Sequence, residues 1–344
     1  MNKVRVVVVD DSPFMRKLLS DMINKDSNLQ VVAQFRNGKE LIEKIDDIKP
    51  DIITLDLEMP ILNGLDTLRE LKKRNKKENI IILSSLAGDG SKHTIECLEY
   101  GAIDFIEKPY GGNFLDIYKI EKLLISKIYA IIENKVHVRK SIKKHIESNG
   151  INYRNKSIDV LLIGASTGGP KALQEILSNI NIDIGIPILV VQHMPKGFTK
   201  AFAERLNSLC KLRIVEAVDK MALEKNTVYI AQGGFHMTVD DRKNIRLNED
   251  ELICGVRPSI NKLFESAVKV YGSNILSVIL TGMGRDGAYG TELVKDSGGI
   301  TIAEDESTCV IYGMPKAAYE TGKVDIVLPL SKIGQEITSI VRRR

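Results

Sequence analysis

A serine set among glycines, and a histidine at the end of a later apolar run, carry the first chemical signal in this sequence. Gly164-Ala165-Ser166-Thr167-Gly168-Gly169-Pro170 follows Val160-Leu161-Leu162-Ile163, which reads as a buried strand. Gly164, Ser166 and Gly168 have the spacing of a nucleophile elbow, a sharp strand-to-helix turn that presents a serine hydroxyl beside backbone N–H groups able to hold an oxyanion. A second strand, Ile188 to Val191, ends in Gln192-His193-Met194-Pro195. A histidine beside the first strand's serine is what an acyl-transfer base requires. A dinucleotide-binding glycine turn shares the strand, loop and helix, but needs an acidic residue at the end of the second strand to take the ribose. Gln192-His193 stands there instead, which favours a hydrolase.

The acid that would orient the histidine is less sharply marked. Asp159 precedes its strand and so falls on the wrong edge of a sheet. Asp286 follows the strand Ile275 to Leu280 through Thr281-Gly282-Met283-Gly284-Arg285, and Glu304 and Asp305 follow the strand Ile300 to Ala303. All three are on the functional edge. The glycine-laced loop before Asp286 also exposes the Met283 N–H to an oxyanion, which favours Asp286 without closing the choice. His236, in Gly233-Gly234-Phe235-His236, reads as a core or supporting histidine.

A second signal lies near the N-terminus. Asp10 and Asp11 follow one apolar strand, Asp56 another, Ser84 and Ser85 a third, and Lys108 precedes Pro109 after a fourth. Three carboxylates sharing one crevice repel unless a hard divalent cation neutralises them, and oxygen ligands with room for water suit magnesium. Asp56 then has the setting of a nucleophile toward a phosphoryl group, with the metal and Lys108 on the oxygens and Ser84 donating a hydroxyl hydrogen bond.

The elements that must position these residues are alternating strands and helices. Val4 and Val6 to Val9 form an apolar run typical of a strand buried on both faces. Ser12-Pro13 suits an N-cap followed by the first helical position, and Phe14, Met15, Leu18, Leu19, Met22 and Ile23 recur at helical spacing. Leu29 to Ala33, Ile52 to Leu55, Ile80 to Leu83 and Ile103 to Ile106 continue the strands. This alternation predicts a doubly wound parallel sheet, in which ligands sit at the carboxyl ends of the strands. The same alternation after residue 158 predicts a second α/β domain.

Length and composition agree. At 344 residues the chain exceeds what one core usually holds, so two domains are expected. Between them, Lys135 to Lys156 has seven Lys or Arg against Glu147 alone, which reads as a linker. A net charge of +4 is too small to imply nucleic acid, and no apolar run reaches the roughly 18 residues of a membrane span. The N-terminus runs straight into a strand with no export signal, so a cytoplasmic location is expected. Cys97, Cys210, Cys254 and Cys309 form no CxxC pair, so reduced thiols are expected.

Residues 1 to about 125 resemble response-regulator receiver domains, through Asp10-Asp11-Ser12, Thr54-Leu55-Asp56-Leu57-Glu58-Met59-Pro60, Leu83-Ser84-Ser85 and Lys108-Pro109. The resemblance implies a flavodoxin-like domain with Asp56 as phospho-acceptor. It also implies magnesium on Asp10, Asp11, Asp56 and the Glu58 carbonyl, and Ser84, Lys108 and Phe105 as switch positions. From about residue 158 onward the chain resembles the catalytic domain of chemotaxis protein-glutamate methylesterases. Gly164 to Pro170, Gln192 to Pro195, Phe198-Thr199, Arg257-Pro258-Ser259, Thr281 to Gly287 and Tyr312 to Ala318 carry that resemblance. It implies a Rossmann-like domain at 158–344 after a linker at 126–157, the triad Ser166, His193 and Asp286, the Met283 backbone at the oxyanion, and no cofactor for the esterase. The implied substrate is methylated glutamate on chemoreceptors, with receptor glutamine as a second substrate and a chemotaxis histidine kinase as phosphodonor. Three residues depart from the usual pattern: Gln232 for proline, Asn261 for aspartate and Glu304 for glutamine. They put substrate-groove details and the deamidase activity in question.

Two other classes fit the sequence less well. A transcription regulator would need a helix-turn-helix or a basic face after its receiver, whereas the C-terminal half alternates strand and helix between glycines. A nucleotide-binding module without catalysis would keep the glycine turn but have no use for His193.

Overall fold

The computed structural model describes residues 3–85, 90–108, 114–138, 156–180 and 183–342, with the backbone alone at 114–116 and 134–138. Pro109 and the basic segment 139–155, the larger part of the expected linker, lie outside the described residues. The chain divides into two compact units, Met1–Lys135 and Val136–Arg344.

The first unit alternates β1 (Val4–Val9), α1 (Pro13–Asn24), β2 (Leu29–Phe35), α2 (Gly38–Ile48), β3 (Ile52–Asp56), α3 (Gly64–Lys73), β4 (Ile80–Ser84), α4 (Gly90–Glu99), β5 (Asp104–Glu107) and α5 (Phe114–Val138). The sheet order is β2-β1-β3-β4-β5 and every pair is parallel. This is the flavodoxin-like order, whose switch point falls between β1 and β3. β3 and β4 are buried at every residue, as strands covered on both faces must be. Ser12 caps α1 as its sequence suggests, accepting from the Met15 N–H. α5 continues into the span expected to be linker. Leu124, Ile128 and Ile131 recur at helical spacing and are buried, which seats the helix on the core beyond residue 125.

The second unit runs β6 (Val160–Ala165), α6 (Gly169–Asn179), β7 (Ile188–Gln192), α7 (Phe198–Leu209), β8 (Arg213–Glu216), β9 (Thr227–Ile230), β10 (His236–Val239), β11 (Ile245–Asn248), α8 (Ile260–Tyr271), β12 (Ile275–Ile279), α9 (Ala288–Asp296), β13 (Ile300–Glu304), α10 (Met314–Glu320), β14 (Ile326–Leu328) and α11 (Leu330–Arg342). Its main sheet has the order β14-β13-β12-β6-β7-β9-β8, all parallel. From β9 to β14 this is the Rossmann order, with β8 added at one edge. The order reverses at β6, so the carboxyl end of β6 opens into a crevice between the loops after β7 and β12. β10 and β11 form a separate antiparallel hairpin that no alternation in the sequence announces. Met237, Val239 and Ile245 of the hairpin are buried in the same core as Leu263 and Phe264 of α8.

Among the described residues no helix is long and apolar enough to cross a membrane. Among the described residues no disulfide joins the cysteines; Cys97 and Cys309 are buried and Cys254 is exposed.

Candidate active site and phospho-acceptor pocket

Ser166 is the first residue past β6, and His193 the first past β7. Ala165 pairs with Gln192 in the parallel ladder, and the His193 N–H continues it by donating to the Ala165 carbonyl at 3.1 Å. Serine and histidine therefore stand side by side on strands about 5 Å apart. The turn after Ser166 depends on Gly168, which has φ +79 and packs so closely that an added Cβ would lie 2.6 Å from Val310 Cβ.

Asp286 arrives from the β12 loop. Its Oδ2 lies 2.9 Å from His193 Nε2. Asp286 is 2% exposed, and it sits on the N-terminal end of α8, where the Ile260 and Asn261 N–H groups and the Ser259 hydroxyl donate to it. Burial opposes its ionisation, but His193 and those N–H groups outweigh burial and hold the carboxyl below its ordinary value. With Nε2 engaged by the carboxylate, His193 Nδ1 is left as the nitrogen that faces no other partner among the described residues. No hydrogen bond joins it to the Ser166 hydroxyl among those residues.

The other acids do not reach His193. Asp159 lies at the opposite end of the strands, where its N–H bonds the Asn274 carbonyl. Asp305 caps the turn at Ser307. Glu304, fully buried, accepts from the Thr281 N–H at 2.8 Å and the Thr308 hydroxyl at 3.0 Å. Burial raises its pKa to about 7 against those donors.

The loop from Thr281 to Met283 is tightly held. Ser166 N donates to Thr281 O, Gly282 N to Ile311 O, and Gly282 O receives both Gly313 and Met314. Among the described residues the Met283 N–H alone in this stretch donates to nothing, which is the condition for an oxyanion contact.

Several supporting residues carry little signal in the sequence. Gln192 donates from Nε2 to the Ser166 carbonyl at 2.9 Å and the His193 carbonyl at 3.2 Å, clamping the two loops. A polar residue ending an all-apolar strand is the trace it leaves. Asn261 accepts from Gly287 and Gly290, capping α9, and is 8% exposed. Asn261 and Glu304 thus face inward and support loops, and neither lines an open groove. Gln232, half-buried, lends its carbonyl to the Phe235 N–H. His236 is fully buried against Glu251 and Ser259.

In the first unit Val9 pairs with Leu55, so Asp10 and Asp56 end neighbouring strands at the switch point. Ligand atoms of Asp10, Asp11 and Asp56 lie within 4.8 Å of one another. Asp10 and Asp56 are buried and Asp11 exposed. Lys108 Nζ bridges Asp10 at 2.9 Å and Asp56 at 2.7 Å. Burial lifts the Asp56 pKa to about 6, with Lys108 opposing and Asp10 adding to the rise. Burial works against the charge on Lys108, yet the two carboxylates hold its pKa above the ordinary value. Arg16, unmarked in the sequence, donates to the Asp10 and Asp11 carbonyls at 2.7 and 2.9 Å and fixes the loop. Glu58 donates its N–H toward Asp56 at 3.4 Å and lines the same cleft as Asp11. The Ser84 hydroxyl is turned to Thr94 at 2.6 Å and bonds the Ser85 carbonyl, not Asp56. The Phe105 side chain is buried on β5.

Residues 161–337 match the CheB methylesterase family, and residues 6–117 the response regulator receiver domain. A protein-glutamate methylesterase/protein-glutamine glutaminase of Clostridium acetobutylicum is 46% identical over 99% of both chains. One of the same description from Archaeoglobus fulgidus is 41% identical over 97% of both. The crystal structure of the Thermotoga maritima CheB methylesterase catalytic domain superposes with a TM-score of 0.52 at 43% identity, covering 54% of this chain and 99% of that one. The switch-point serine, the neighbouring histidine and the buried aspartate thus lie within the matched region, and the chain belongs to the CheB methylesterase family, preceded by a receiver domain.

Proposed function

We propose that this protein hydrolyses glutamate methyl esters on chemoreceptors, and the side-chain amide of receptor glutamines, under control of phosphorylation at Asp56. The observation that carries the hydrolase reading is the 2.9 Å pairing of Asp286 with His193 at the strand end beside Ser166. The carboxylate fixes the tautomer with the proton on Nε2, so Nδ1 offers its lone pair to the Ser166 hydroxyl. Ser166 Oγ gives its proton to Nδ1 and attacks the ester carbonyl, and the Met283 N–H takes the charge that develops on the carbonyl oxygen. The imidazolium returns the proton to the leaving methoxide, and methanol departs. Water, activated by the same nitrogen, then releases the glutamate carboxylate. With an amide the leaving group is ammonia and the sequence is otherwise the same.

The receiver supplies the control. Asp10, Asp11 and Asp56 are a hard-oxygen set that fits a divalent cation, and we assign magnesium to them with the Glu58 carbonyl. When bound, that ion neutralises the acidic pocket and draws charge from phosphoryl oxygens. Lys108, whose Nζ meets Asp10 and Asp56, would hold a phosphoryl oxygen, while Ser84 must turn from Thr94 to reach one. The phosphodonor in this reading is a chemotaxis histidine kinase, and the setting is the cytoplasm.

Methanol release from methylated receptor membranes tests the reading. Ser166→Ala should abolish it and should also abolish labelling by a serine-directed fluorophosphonate. Near-normal turnover in that variant would refute Ser166 as the nucleophile.

A further inference from the structure

Each oxygen of the Asp286 carboxylate has two donors. Oδ1 receives the Ser259 hydroxyl at 2.8 Å and the Asn261 N–H at 3.1 Å, while Oδ2 receives the Ile260 N–H at 2.7 Å and faces His193 Nε2 at 2.9 Å. The group is thereby held against rotation about its Cβ–Cγ bond. Ser259 is itself fully buried and fixed on two sides. Its Oγ accepts from the Lys262 N–H at 3.4 Å as the N-cap of α8, which leaves the hydroxyl proton for Asp286. Its N–H donates to His236 Nδ1 at 3.2 Å, and His236 Nε2 meets the Glu251 carbonyl at 2.9 Å.

A ring nitrogen that accepts carries no proton, so His236 is neutral with its proton on Nε2. Burial lowers its pKa; the Glu251 carbonyl and Asp250 oppose that, and Lys262 and Arg257 reinforce it. His236 thus acts as a fixed acceptor for Ser259 and stands outside the proton transfer.

We propose that Ser259 is a positioning residue for the hydrolase reaction, its backbone N–H anchored on His236 and its hydroxyl given to Asp286 so that the carboxylate stays turned toward His193. This rests on the reading of Asp286 as the acid that orients His193. Without the Ser259 hydroxyl, Oδ1 keeps a single donor at 3.1 Å and the carboxylate is held less firmly, with the Ile260 N–H as its one short backbone donor. His193 then samples the tautomer with its proton on Nδ1, which cannot accept from serine.

The experiment compares the full-length chain with Ser259→Ala, Ser259→Thr and Asp286→Ala. Methanol release from methylated receptor membranes gives kcat and KM, and the downfield proton resonance of the His193–Asp286 bond gives a spectroscopic signature. Ser259→Ala should lower kcat about tenfold, the size expected for one hydrogen bond to a charged group, with KM unchanged and the resonance shifted or broadened. Ser259→Thr, which keeps the hydroxyl, should restore both. If Ser259→Ala keeps its kcat and resonance while Asp286→Ala is inactive, the role of Ser259 is overturned and the reading of Asp286 stands. A loss that only tracks loss of folded protein, with the resonance unmoved, overturns it as well. Full turnover in Asp286→Ala overturns the underlying reading.

Discussion

The Ser166 N–H donates to the Thr281 carbonyl at 3.0 Å, which makes the Ser166 loop and the Met283 loop one hydrogen-bonded piece. Gly282 permits the approach, since a Cβ there would stand 2.7 Å from Ser166 Cβ and 2.5 Å from Met314 Sδ. Gly282→Ala must push the two loops apart. A shift near 1 Å at a reacting atom costs about a hundredfold in rate, and the overpacking about 1–3 kcal/mol in stability. Methanol release and a thermal melt on the same sample check both. Turnover close to wild type would show that the contact does not set the serine's position.

Gln192 invites a second substitution. It is 2% exposed, and its amide serves the carbonyls of Ser166 and His193 together. Gln192→Leu keeps the bulk and removes a donor from both carbonyls; the Ser166 carbonyl keeps the Gly169 N–H at 2.7 Å, so the loss falls mainly on the His193 carbonyl, at about 1 kcal/mol for the missing hydrogen bond. The labelling rate of Ser166 by a fluorophosphonate should fall along with stability, because the clamp joins the Ser166 and His193 loops. A stable protein labelled at the wild-type rate would mean the ladder alone aligns them.

Much of this arrangement was legible beforehand because parallel strands buried on both faces leave continuous apolar runs, and their carboxyl ends are where polar residues collect. Asp10, Asp56, Ser166 and His193 were all readable in that way, and even their adjacency followed from strand order. What stayed hidden depends on contacts between distant segments. Nothing in Arg257-Pro258-Ser259 announces that α8 begins under the Asp286 carboxylate, and the choice among Asp286, Glu304 and Asp305 needed the loops after β12 and β13 in place. The β10–β11 hairpin has only four-residue strands, too short to show a period. Ser84 shows the converse: the apolar run before it places it at the end of β4, but its hydroxyl is taken by Thr94.

The receiver reading makes a separable prediction. Asp56→Asn keeps the shape of the pocket and removes the carboxylate proposed as phospho-acceptor, so it should retain basal methanol release and gain nothing from acetyl phosphate. Chelating magnesium with EDTA should likewise leave the basal rate alone, since the esterase site uses no metal in this scheme, while abolishing the response to acetyl phosphate. Equal activation of wild type and Asp56→Asn would move the switch to another residue. A basal rate that falls with EDTA would place a metal in the hydrolase step.

Glu304 gives a pH dependence whose sign is fixed by its surroundings. It is fully buried on β13, and burial lifts its pKa from the ordinary 4.5 to about 7 even though Thr281 and Thr308 both donate to it. A carboxyl with a raised folded-state pKa binds its proton more tightly in the folded chain than in the unfolded one. Its favourable contribution is therefore whole below about pH 4.5, declines as the pH rises, and is gone above about pH 7. At about 1.4 kcal/mol per pKa unit the change across that window is a few kcal/mol. Glu304→Gln keeps an oxygen for the Thr281 N–H and removes the titration. Its melting temperature relative to wild type should be similar near pH 5 and several degrees higher at pH 8. Asp56 titrates in an overlapping range, but it is present in both proteins, so the difference between them isolates Glu304. A difference that stays flat from pH 5 to 8 would mean that Glu304 is ionised throughout, held by partners beyond the two donors that meet it here.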